Sequence, residues 1–156
     1  MRTPASIASH PIHPMLVPLP MGLWIFSLAC DLLHVFWSPD PAWKTVASYT
    51  MAGGVVGALI AAVPGLIDLL SLPARPRKTA LIHMSINLTI VVLYVVNLWL
   101  RMAAAPGAQD AAMDLPVWLS VVAVALLAIS GWLGGHLVYV ENVAVQPKGG
   151  DVAPDR

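Results

Sequence analysis

Five histidines stand out in a chain that is 58% hydrophobic and 10% charged. Histidine inside or beside a lipid bilayer is costly and usually marks a functional site. Imidazole is also the commonest protein ligand for metal ions and an axial ligand of haem iron. This set therefore indicates the binding of a metal ion or of haem. The spacing predicts that four of the five gather at one membrane face: His10, His13, His83 and His136.

Four apolar segments must position these histidines. A transmembrane helix needs about 20 mainly apolar residues, and backbone polar groups in hydrocarbon must be hydrogen-bonded within the segment, which favours helices. We therefore predict an all-α, four-helix transmembrane bundle in a lipid bilayer. The spans are expected at about 15–37, 45–72, 79–100 and 115–140, within a membrane domain of 15–145 that follows a His/Pro-rich arm (1–14) and precedes a tail (146–156) expected to be disordered.

The predicted topology brings one polar group from each segment to a similar depth. Successive spans run in opposite directions, so the start of the first and third and the end of the second and fourth share one side. His10 and His13 precede the first span, and Asp68 lies near the end of the second. His83 and His136 each lie about 6 Å inside a helix end, at 1.5 Å of rise per residue. The common depth favours a site at this face.

Haem b is the first cofactor that this arrangement predicts. We take His83 and His136, on adjacent helices, as the first-choice axial ligands. His13 and His10 are the alternative pair, or the ligands of a second haem. Asn87 lies four residues after His83 on the same helix face and is expected to orient its ring by a hydrogen bond.

A non-haem iron, zinc or copper ion is the alternative cofactor. Three or four imidazoles and a carboxylate suit any of these ions, and the same four histidines with Asp68 would provide them. A third interpretation is a structural subunit whose histidines bond only each other and backbone carbonyls. No phosphate-binding loop, nucleophile elbow or zinc-protease motif occurs, so whether the protein is an enzyme is left open.

Charge and cysteine content exclude several other classes of protein. The formal net charge is zero, which removes any case for nucleic-acid binding by a basic face. Cys30 is the only cysteine, so an intramolecular disulfide, a paired-cysteine redox motif and a thiolate iron–sulfur cluster are excluded.

A second polar group is predicted at the opposite membrane face. Asp31 and His34 are three residues apart on the first span and so share a helix face, and Asn97 on the third span is at a comparable level. We interpret the group as an internal ion pair or hydrogen bond, with a second haem ligand or a step in a proton relay as the alternative.

The second span carries a stripe of small residues at four-residue spacing. Such a stripe lets helix backbones approach closely. It packs either within its own bundle or against a second protomer, so a homo-oligomer is left open. Its members are Gly53, Gly57, Ala61 and Gly65.

The combined motifs resemble the bacterial family called domain of unknown function 2231, over residues 10 to about 145. The resemblance implies a four-helix membrane protein. Some relatives are fused to or placed beside a Rieske-type iron–sulfur domain, which implies electron transfer with a separate redox partner, such as an iron–sulfur protein or a quinone, and favours haem. The motifs are His10-Pro11-x-His13-Pro14, Leu16-Val17, Pro20-x-Gly22, Asp31, Gly65-x-x-Asp68, His83-x-x-x-Asn87 and Gly135-His136-Leu137-Val138-Tyr139.

Basic residues predict the orientation of the bundle. Lys and Arg concentrate in cytoplasmic loops, so both termini should be cytoplasmic, in the inner membrane of a bacterium. A reporter enzyme fused after Arg156 should be active in the cytoplasm, and activity in the periplasm would contradict the assignment. The side of the termini carries Arg2, Arg75, Arg77, Lys78, Lys148 and Arg156, and the opposite side carries only Lys44 and Arg101.

Overall fold

The described part of the chain starts with a short β-hairpin, which is followed by five helices. The computed structural model describes residues 3–8, 10–104 and 114–145. In the antiparallel hairpin, Ser6 lies opposite Pro11 and Ile7 opposite His10. The elements are β1 (Ser6–Ile7), β2 (His10–Pro11), α1 (Ile12–Leu16), α2 (Pro18–Phe36), α3 (Pro41–Ser71), α4 (Ala74–Ala103) and α5 (Leu115–Tyr139).

The predicted all-α, four-helix transmembrane bundle is confirmed. Four segments are long and apolar enough to cross a membrane, and the chain is therefore a multi-pass membrane protein. The first combines α1 and α2, which are separated by Val17, just before Pro18. The tail 146–156 and residues 105–113 lie outside the described residues. The four spans are Ile12–Phe36, Pro41–Ser71, Ala74–Ala103 and Leu115–Tyr139.

Helix boundaries extend beyond the apolar runs at several ends. α4 begins at Ala74, so the basic segment predicted as a loop forms its exposed first turns. Ala, Arg and Lys are strong helix formers, which is why hydropathy alone placed this boundary too late. α3 and α5 each start with an aspartate cap: Asp40 accepts from Ala42 N–H (2.8 Å) and Asp114 from Val117 N–H (3.1 Å). Both caps satisfy amide groups that a helix start leaves free.

The middle of the bundle is an apolar core to which all four spans contribute. The Trp24 and Tyr94 rings stack across the α2–α4 contact, with centroids 4.6 Å apart and planes inclined by 12°. Offset-stacked rings at such distances add stabilisation beyond the area they bury. Large apolar side chains on the outer faces are exposed in the chain, as a lipid-facing surface requires. The core residues are Trp24, Met51, Ile90, Tyr94, Ala123 and Leu127.

A buried ion pair lies at one end of the bundle, which we call the ion-pair end. The Arg101 guanidinium donates to both carboxylate oxygens of Asp31 (2.9 and 2.6 Å) and, through Nε, to Asn97 Oδ1 (2.8 Å). Asn97 Nδ2 in turn donates to Pro116 O (2.7 Å) and Ser120 Oγ (2.9 Å). These bonds join α2, α4 and α5.

The ion pair agrees with the interpretation of Asp31 from the sequence. Its partner, however, is Arg101, which lies just beyond the predicted end of the third span. His34 does not join it. Instead, its Nδ1 lies 3.0 Å from Asp40 O, in the connection between α2 and α3. Asn97 and Arg101 are four residues apart on one helix face, and that spacing was the available signal.

The small-residue stripe of α3 packs within its own bundle. A Cβ atom at Gly53 would lie 3.4 Å from Leu23 Cδ1, and one at Gly57 would lie 3.4 Å from Pro20 Cδ. Both neighbours belong to α2. The stripe therefore brings the backbones of α2 and α3 together, as small residues do in membrane helix pairs.

Gly54, beside the stripe, should be intolerant of any side chain. A Cβ atom there would overlap the Trp24 ring, which is itself held in the core stack. We expect Gly54→Ala to lower the unfolding free energy in detergent micelles by about 1–3 kcal/mol through overpacking. Gly22→Ala is the matched control, because no atom lies within 4 Å of its Cβ position. Equal thermal stability of the two variants would contradict the tight contact.

The Asp31–Arg101 pair should be sensitive to the loss of either charge. The two side chains are 0% and 3% exposed, and a buried charge left without its partner costs about 3–5 kcal/mol. Asp31→Asn should therefore destabilise the bundle strongly. The double variant Asp31→Leu/Arg101→Met should recover much of the loss, since both charges are then gone. Thermal unfolding of the purified proteins measures the stability of the single and the double variant. A wild-type melting temperature for Asp31→Asn would refute the expectation.

Candidate histidine site

His13 binds the arm to the third helix. It lies in α1, and its Nδ1 is 2.7 Å from Ala61 O in α3. A Cβ atom at Gly65, one turn further along α3, would lie 2.8 Å from the same nitrogen. Pro64 has no N–H and loosens this turn of α3, while Gly65 leaves the space that the ring occupies. The last small residue of the stripe therefore accommodates an imidazole ring.

His83 binds α4 to α5 in a similar way. Its Nδ1 lies 3.0 Å from Ser130 O and 3.1 Å from Ser130 Oγ. Gly134, one turn beyond Ser130, also faces the ring, since a Cβ atom there would lie 3.4 Å from His83 Cε1. Asn87 Nδ2 donates to His83 O at 2.8 Å and lies 3.1 Å from His83 Nε2. The i, i+4 spacing predicted this contact between Asn87 and His83.

The two half-buried imidazoles lie next to each other. The ring centroids of His13 and His83 are 6.5 Å apart, and their planes are inclined by 86°. Each Nδ1 donates its proton to a main-chain carbonyl, so each Nε2 carries the lone pair that binds a metal. In His83 that lone pair accepts the Asn87 amide N–H. We call these two residues the histidine pair, and the end of the bundle that contains them the histidine end.

His136 belongs to a different cluster. Its Nε2 is 3.9 Å from Glu141 Oε1, its ring centroid is 5.8 Å from that of Trp132, and its side chain is 34% exposed. Residues two apart on a helix point about 200° apart, so His136 is turned away from the Gly134 face that meets His83. The structure thus brings His13 to His83, where the sequence favoured His136. The equal depth of His83 and His136 along their helices does not determine the direction in which each side chain points around its helix axis.

His10 and Asp68 make contacts of their own outside the histidine pair. His10 is exposed in the hairpin, with Nδ1 2.9 Å from Ala8 O. Asp68 is 8% exposed, and its carboxylate accepts the Ala5 N–H at 2.9 Å. Within residues 3–8, 10–104 and 114–145, no three His, Cys, Asp or Glu side chains lie close enough to share a metal ion. The predicted cluster of four histidines and Asp68 is not assembled.

Ser130 and the carbonyl of Ala61 are parts of the site that sequence reasoning missed. Backbone acceptors have no sequence signal of their own. Gly65 and Gly134, however, marked the turns at which a ring could approach the backbone.

Comparison with known proteins identifies a family. Residues 9–147 match the family described as predicted membrane protein (DUF2231). No curated protein and no solved structure matches the chain. Since the match covers nearly the whole chain, including all four spans and both histidines of the pair, this protein is a member of the DUF2231 family of membrane proteins.

Proposed function

We propose that this protein binds one haem b through His13 and His83 and transfers electrons in the bacterial cytoplasmic membrane. The observation that carries the proposal is the histidine pair, in which two imidazoles from different helices lie with ring centroids 6.5 Å apart and with both Nδ1 atoms bonded to main-chain carbonyls.

The separation of the two rings supports a shared metal. A metal–imidazole bond is about 2.0 Å long, and the ring centre lies roughly 1 Å behind the nitrogen, so two imidazoles on opposite sides of one ion have centroids about 6 Å apart. The observed centroid distance is 6.5 Å.

The number of donors favours haem over a bare metal ion. Protein zinc sites take three or four side-chain ligands, whereas haem iron already has four porphyrin nitrogens and needs only axial ligands from the protein. In the described ranges no third His, Cys, Asp or Glu joins the pair. Two imidazoles alone are the donor set of a haem protein.

Neighbouring groups would prepare both rings for ligation. The carbonyls of Ala61 and Ser130 each accept a bond from an Nδ1, which orients the ring and leaves Nε2 as the atom that would bind a metal. Asn87 would release His83 Nε2 and keep its bond to His83 O. Bound haem would supply reversible one-electron chemistry. The resemblance to a family in which some members are fused to or placed beside a Rieske-type iron–sulfur domain supports an iron–sulfur protein or a quinone as the separate partner.

The absorption spectrum of single variants tests the proposal. Protein purified from cells with ample haem should show a Soret band of low-spin bis-imidazole iron. His13→Ala and His83→Ala should each abolish or shift this band, because each removes one axial ligand. His34→Ala and His136→Ala are matched controls at the ion-pair end and on the outer face of α5, and both should keep the wild-type spectrum.

Other outcomes decide between the alternatives. Bleaching by His136→Ala but not by His13→Ala would restore the pair predicted from helix depth. A colourless wild-type protein with a stoichiometric transition metal would establish a non-haem site. A colourless protein without metal would leave the histidines as structural contacts between helices.

A further inference from the structure

Residues 3–8 and 10–16, the described part of the N-terminal arm together with the rest of α1, are held to the bundle by consecutive hydrogen bonds. Asp68 in the last turn of α3 accepts the Ala5 N–H at 2.9 Å. Ala5 O in turn accepts the Ile12 N–H at 3.0 Å, and Ile12 directly precedes His13. The hairpin formed by β1 and β2 lies between Ala5 and Ile12 in the chain, so these two bonds connect α3 to the start of α1. Thr3 and Ala5 are only 5% and 8% exposed, so the arm is packed against the protein at its start.

The two histidines of the pair are therefore fixed by different means. His83 is bonded within the α4–α5 contact, between two long membrane helices. His13 lies on a five-residue helix that follows the hairpin, and the segment before the hairpin is attached to α3 by the Asp68–Ala5 bond. Asp68 supplies the acceptor of this bond, and Ala5 supplies the donor.

We propose that Asp68 is a positioning residue for His13. By binding the Ala5 N–H it docks the arm, and the docked arm places the His13 ring beside His83. Release of the arm removes one imidazole and leaves the other in place, so docking controls whether the histidine pair is complete. The consequence for cofactor binding rests on the proposed function, whereas the placement of His13 does not.

The first experiment measures the placement of His13 without any cofactor. In protein labelled with ¹⁵N-histidine in detergent micelles, water exchange of the two ring Nδ1–H protons is compared. Asp68→Ala removes the acceptor and Ala5→Pro removes the donor, and each should speed exchange at His13 about tenfold or more. His83 should be unchanged and serves as the internal control for folding.

Two further variants test whether the effect comes from the Asp68–Ala5 bond or from the removal of any aspartate that accepts a backbone N–H. Asp68→Asn keeps a carbonyl oxygen that accepts the Ala5 N–H, so it should remain close to wild type. Asp40→Ala removes an aspartate that also accepts a backbone N–H, at 2.8 Å, but at the ion-pair end. It should leave His13 exchange unchanged. Wild-type exchange at His13 in both Asp68→Ala and Ala5→Pro would overturn the proposal.

The second experiment titrates the same proteins with hemin. Asp68→Ala should weaken binding about 10–100-fold, while Asp68→Asn and Asp40→Ala should bind nearly as the wild type does. If Asp68→Ala speeds exchange at His13 but leaves the hemin affinity unchanged, the proposal that the arm controls the site is overturned. If the wild-type protein takes up no hemin, the proposed function fails, and the exchange rates still decide the role of Asp68.

Discussion

The buried pair of Asp31 and Arg101 is the constraint on which the rest of the bundle depends. Lipid gives no hydrophobic drive for helices to associate, and a charge in hydrocarbon must find a partner. Bonds from Arg101 and Asn97 hold α2, α4 and α5 in one register. Arg101 and His83 are 18 residues apart, which is about five turns and 27 Å. Arg101 and His83 therefore lie on the same face of α4, at opposite ends of the bundle.

Glycine decides where rings can enter this bundle. Three helical glycines each face one ring: Gly54 faces Trp24, Gly65 faces His13, and Gly134 faces His83. The last two let an imidazole reach a backbone carbonyl of the neighbouring helix. Small residues in membrane helices are usually associated with close backbone contact. In this bundle the missing side chain of a glycine also leaves room for an aromatic or imidazole ring. The other glycines of the stripe, Gly53 and Gly57, bring α2 and α3 into contact.

The histidine pair combines a side chain held between two membrane helices with a side chain next to the N-terminal arm. His83 is bonded between two membrane helices, and His13 depends on a segment that Asp68 holds in place. The Nδ1 atom of each ring bonds a main-chain carbonyl, His13 to Ala61 O and His83 to Ser130 O.

Hydropathy and spacing by themselves determined the four spans and the side of the bundle at which each polar residue lies, because span length and helix rise depend only on the local sequence. They also predicted the contact of Asn87 with His83. Tertiary structure decided the partners: His13 and not His136 beside His83, and Arg101 and not His34 beside Asp31. Depth along a helix is a local property, whereas rotation about its axis is set by packing against residues distant in the sequence.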